Sequence, residues 1–111
     1  MDWDYSIEGK ITEGKVAIIR AFEVSFDKIK IIFENSCTGR KKMLNFSRVI
    51  SLSIEADFGV DYDDDMDIMA YRALIGFGFK KTEKAYIYAM KIDDYELVIK
   101  SLTPVSIDAA V

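Results

Sequence analysis

The chain has 111 residues, half of them apolar and 13% aromatic, with a formal charge of −4, no histidine and one cysteine. That length and apolar content predict a single domain, 1–111, with a packed core, and exclude a disordered chain. A lone cysteine excludes an intrachain disulfide, no apolar run approaches the roughly 20 residues that span a bilayer, and net acidity argues against direct nucleic-acid binding, which draws on basic surfaces.

Trp3, Tyr5 and Ile7 alternate with Asp2, Asp4, Ser6 and Glu8, which predicts a short amphipathic strand. The opening MDWDYSIEGK lacks the basic-then-apolar order of a signal peptide, so a cytoplasmic protein is expected. Gly9 and Gly14 bracket a turn. Residues 16–24 are rich in β-branched and aromatic side chains and read as a strand. Ser25-Phe26-Asp27 forms a tight connection, after which Ile29, Ile31 and Phe33 alternate with Lys28, Lys30 and Ile32. The run from Asn35 to Gly39 is the strongest turn signal, and strands follow at about 42–46 and 49–55. In the last of these, Ile50, Leu52 and Ile54 share one face.

The period then changes. Met66, Met69, Ala70, Ala73 and Leu74 fall at helical spacing, which predicts a helix over 66–75. Asp63, Asp64 and Asp65 would occupy its first turn, Arg72 its last, and Gly76 or Gly78 its stop. Strands at 85–92 and 95–102 meet at Asp93-Asp94, and Pro104 ends the second. The tail from Ser106 is too short for a helix of its own. The expected core is Ile18, Phe22, Ile31, Phe33, Leu44, Ile50, Leu52, Met69, Leu74, Ile87, Leu97 and Ile99.

Apparent catalytic and metal motifs fail on inspection. Gly9 to Lys15 matches the first seven positions of a phosphate-cradling G-x-x-x-x-G-K-[ST] loop, but the eighth is Val16, with no hydroxyl for magnesium. The residues that follow read as a strand rather than the helix such a loop opens, so a turn between two strands is expected. Asp61, Asp63 and Asp65 match alternate ligands of a calcium loop, yet Met66 stands where glycine is needed and Arg72 where glutamate should close the shell. Without histidine there is no Ser-His-Asp or Cys-His arrangement. No catalytic residue, metal or cofactor is expected, and the chain is not expected to be an enzyme.

Two charged clusters are candidate binding surfaces. One is the acidic face of Asp61, Asp63, Asp64, Asp65 and Asp67, within a stretch over 55–67 that holds no base. The other is basic: Arg40, Lys41 and Lys42 after the Gly39 turn, and Lys80, Lys81 and Lys84 before the penultimate strand. Brought together by strand pairing, these could hold an anionic headgroup or an acidic partner; on opposite edges they are solubilising charge.

The meander followed by Leu44-Asn45-Phe46-Ser47-Arg48-Val49-Ile50-Ser51-Leu52 resembles bacterial domains of the pleckstrin-homology-like and GRAM-like superfold. Arg72-Ala73-Leu74-Ile75-Gly76 before a final hairpin looks similar to a stretch in small bacterial members. The resemblance implies a binding platform for lipid headgroups or protein segments.

These readings predict an α+β, mainly β fold: a curved antiparallel sheet or small PH-like barrel of six to seven strands, with one helix before the last hairpin. The expected function is a non-catalytic binding or assembly module recognising a protein partner. Alternatives are a small acidic inhibitor, of phage or mobile-element type, docking on a nucleic-acid-handling enzyme, and a binder of anionic membrane headgroups.

Overall fold

The computed structural model describes residues 3–56 and 72–110. It is mainly β, with one described helix, α1 (Ser6–Thr12), and eight strands. These are β1 (Ala17–Ser25), β2 (Lys28–Asn35), β3 (Lys41–Phe46), β4 (Val49–Ala56), β5 (Leu74–Lys81), β6 (Tyr86–Ile92), β7 (Tyr95–Ser101) and β8 (Ser106–Ala110). They form two four-stranded sheets, ordered β1-β2-β3-β8 and β4-β7-β6-β5, and every pairing is antiparallel.

The two sheets are joined along one side. Ile18 bridges Ala73, and the Ile19 N–H donates to the Arg72 carbonyl at 2.9 Å. Among the described residues no ladder joins β8 to β4, so the strands curve round without closing a barrel. Alternation places Ile29, Ile31 and Phe33 of β2 inside, with Leu44 and Phe46 of β3 beside them. From the other sheet come Phe77, Tyr88, Met90, Ile92, Leu97 and Ile99.

The amino end differs from the strand expected there. Among its described residues only Asp4 pairs as a strand, exchanging two backbone bonds with Phe79 at 2.7 and 2.8 Å. Ile7 and Ile11, four apart, instead form the buried stripe of α1. Glu13 ends the helix with φ 51°, so the Gly9–Gly14 segment is helix plus a short turn rather than a turn between strands.

The helix expected over 66–75 lies outside the described residues up to Tyr71. Its last part is corrected: Leu74 and Ile75 open β5. Gly76 and Gly78 do not stop a helix. They alternate with Phe77 and Phe79, so the rings face the core while the glycines lie on the other face of β5, pairing with Lys91 and Ala89, with Gly78 buried under Trp3 and Tyr5.

Of the expected core, Ile31, Phe33, Leu44, Leu74, Leu97 and Ile99 are buried. Ile18, Phe22, Leu52 and Ile87 are half-buried, and Met69 lies outside the described residues. Ile50 is 57% exposed because it is the extra residue of a β-bulge between Val49 and Ser51, which breaks the alternation assumed for this strand.

Candidate functional site

The turn after β2 is built by Asn35, a buried polar residue. Its Oδ1 accepts from the Cys37 and Thr38 amides at 2.9 and 3.1 Å, while its Nδ2 donates to the Thr12 carbonyl at 3.1 Å. One side chain therefore shapes the turn and ties it to the end of α1. Gly39, at φ 73°, completes the reversal, and Arg40, Lys41 and Lys42 follow.

Lys42 points to α1. Its Nζ lies 2.6 Å from the Glu13 carboxylate and also donates to the Lys10 carbonyl. The Lys42 hydrogen bond to Glu13, then the Lys42 charge, with Arg40 adding to it, holds the Glu13 carboxyl below its ordinary value. Lys41 belongs to the opposite face of β3, 4.0 Å from Glu34, which sits closer to Arg20 at 2.9 Å.

The apolar part of the lining comes from the last strand, beside β3. Pro104 ends the passage from β7, and Ser101 and Thr103 fix that connection through bonds to the Thr103 and Ser47 carbonyls at 2.7 and 2.8 Å. Val105, Ile107, Ala109 and Ala110 then line a groove of about 840 Å³ together with Lys10, Glu13 and 39–42, Lys41 and Lys42 lying on the strand paired with β8.

The basic cluster is therefore divided. Arg40 and Lys42 gather at the carboxyl end of α1, where Glu13 caps it, whereas the Lys41 side chain is turned to Glu34. Lys80 lies near the residues preceding α1, its Nζ 4.8 Å from the Trp3 ring centre, and the Lys81 Nζ lies 5.3 Å from the ring centre of Tyr86 on β6. Lys84 is in the turn before β6. The structure does not bring the two halves together. Asp61, Asp63, Asp64, Asp65 and Asp67 lie outside the described residues.

Lys10, Glu13 and the β8 residues were not among the sequence-derived candidates. Lys10 and Glu13 are hidden in the false phosphate-loop motif, whereas Val105, Ile107 and Ala109 carry a legible period of two after Pro104. Among the described residues no group of three or more histidine, cysteine, aspartate or glutamate side chains is placed to hold a metal ion. Cys37 is exposed in the turn. No described helix is long and apolar enough to cross a membrane.

No family model matches the chain, and no curated protein matches it. The fold is similar to that in a crystal structure of an uncharacterized protein from Neisseria gonorrhoeae, with a TM-score of 0.67 and 12% identity over 85% of this chain and 90% of that one. At that identity the likeness shows a shared fold.

Proposed function

We propose that the chain is a non-catalytic binding module that recognises a protein partner through an extended segment laid along β8. The observation that carries this reading is the contrast between β8 and the other outer strands. β1 has a register shift at Arg20, β4 one at Ile50 and β5 one at Ile75, and such bulges blunt an edge against pairing. β8 pairs with β3 in unbroken register from Ser106 to Ala110, and among the described residues nothing pairs with its other edge. A regular edge beside a groove is what strand addition requires, with main-chain bonds giving affinity and the groove giving specificity.

The test uses the full chain and an Ala109→Trp variant as baits, followed by calorimetry on any protein retained. Ala109 is exposed, so the ring fills the groove without entering the core. The expected result is a partner that binds the wild type saturably and is lost by the variant. A partner held equally by both, or turnover of a substrate by the purified protein, overturns the reading.

A further inference from the structure

The groove has a charged end and an apolar end, and their order along β8 is fixed. Ala109 and Ala110 pair with Lys42 and Lys41, so this end of β8 lies beside the cations. Val105 and Ile107 line the groove toward the other end. The charged wall holds Lys10, Arg40 and Lys42 against one carboxylate, Glu13, which Lys42 already engages, while Lys41 is turned to Glu34 on the other face of β3. Among the described residues neither Lys10 nor Arg40 has an ion-pair partner. A local excess of positive charge on a chain of net charge −4 runs against the average surface. It marks the groove for a ligand of opposite sign.

We infer that the groove receives an extended segment of a partner protein with carboxylates at one end and apolar side chains at the other. This rests on the reading of β8 as a docking edge and adds the chemistry the segment carries. Every second side chain of a strand added to β8 faces the groove. Those near Ala109 meet Lys10 and Arg40, and those near Val105 meet an apolar surface. A bare anion or a lipid headgroup would use the cations alone and leave Val105 and Ile107 wet, so the mixed lining favours a peptide.

The probe is an end-blocked octapeptide of alternating valine and threonine followed by four glutamates, together with its order-reversed twin, since a strand can add in either direction. Titration into the labelled full chain, followed by amide resonances, is expected to give saturable binding with Kd below about 1 mM for one of the two orders. The shifts are expected at Arg40, Val105, Ala109 and Ala110. Replacing the glutamates by lysines, or reversing Lys10→Glu and Arg40→Glu together, is expected to weaken binding about tenfold or more, as is raising salt to about 0.5 M. Both reversed residues are exposed, and an unchanged melting temperature confirms the fold.

Absence of saturable binding by either peptide overturns the inference, as does equal binding of the lysine peptide or shifts confined to β1 or β4. Inorganic phosphate or phosphatidylserine vesicles that shift the same resonances as strongly also overturn it, in favour of a general anion site. A cellular partner lost on Ala109→Trp but retained by the charge-reversed chain overturns only the acidic requirement. One indifferent to both overturns docking on β8 as well.

Discussion

The hydroxyl of Tyr88 accepts a 2.8 Å hydrogen bond from the backbone N–H of Val105. Tyr88 lies on β6 in one sheet, whereas Val105 leads into β8 in the other, so this bond helps set where the last strand returns to β3. The ring is fully buried, with its centre 5.1 Å from Phe46, 6.2 Å from Phe77 and 5.3 Å from Phe79. The apolar wall of the groove is thereby anchored to the core.

Replacing Tyr88→Phe keeps the ring and removes the acceptor. The Val105 N–H then loses its partner, at an expected cost of about 1–2 kcal/mol in denaturant unfolding. Hydrogen exchange is expected to quicken more over 105–110 than in β6 or β7. A uniform change across the chain would show that the bond does not hold β8 in place.

The same burial favours the neutral phenol and raises the Tyr88 pKa above the ordinary 10.0, with the hydrogen bond from the Val105 N–H and the nearby Ser101 hydroxyl opposing the shift. Because the folded pKa exceeds the unfolded one, the unfolded chain binds fewer protons above pH 10. The contribution to stability is therefore complete below that pH and is lost as pH rises through the folded pKa. Tyrosinate absorbance, read as the difference between the wild type and Tyr88→Phe, is expected to place the Tyr88 titration above pH 10, together with alkaline unfolding. A difference that titrates at pH 10 with the fold intact would contradict this.

Much of the β framework was legible in the sequence because each strand from β1 to β4, and each of β6 and β7, carries its own turn signal or period of two. What misled was competition between periods. Trp3, Tyr5 and Ile7 alternate as a strand would, but Ile7 and Ile11 also sit one helical turn apart, and burial of both against the sheets selects the helix. Leu74 extends a helical spacing begun at Met66, yet its neighbours Gly76 and Gly78 alternate with Phe77 and Phe79, and pairing with β6 selects the strand. Half of the groove was visible as Arg40–Lys42. The rest was not, because nothing local reveals that the tail after Pro104 returns to pair with β3.

Gly78 tests how the amino segment covers β5. A Cβ there would lie 3.2 Å from ring atoms of both Trp3 and Tyr5. Gly78→Val is expected to push these rings away and weaken the Asp4–Phe79 bridge, costing about 1–3 kcal/mol through overpacking. Trp3 is the sole tryptophan, so its emission reports the change directly, moving to longer wavelength as the ring is exposed. Unchanged emission with unchanged stability would show that the rings do not rest on the glycine.

Glu13 reports on the charged wall. Its lowered pKa means that the Lys42–Glu13 contact stabilises the fold above the ordinary glutamate value of 4.5 and loses that contribution as pH falls through the folded pKa. Lys42→Met removes the first and second causes of the shift, so the Glu13 carboxyl is expected to titrate closer to its ordinary value by NMR. A titration unmoved by the substitution would assign the shift to Arg40.

Phe26 sits at the tip of the β1–β2 hairpin, fully exposed, with φ 54°. A left-handed backbone is unfavourable for a bulky side chain, and here no burial of the ring offsets it. Asparagine tolerates that conformation. Phe26→Asn is therefore expected to raise stability by about 0.5–1 kcal/mol, read from the shift of the denaturant midpoint at constant slope. The turn itself is held from outside, since the Asp27 carbonyl accepts from the Val49 amide at 2.8 Å, so the substitution leaves the hairpin register in place. A loss of stability would mean that the ring is packed in solution and that this hairpin tip is part of the hydrophobic core.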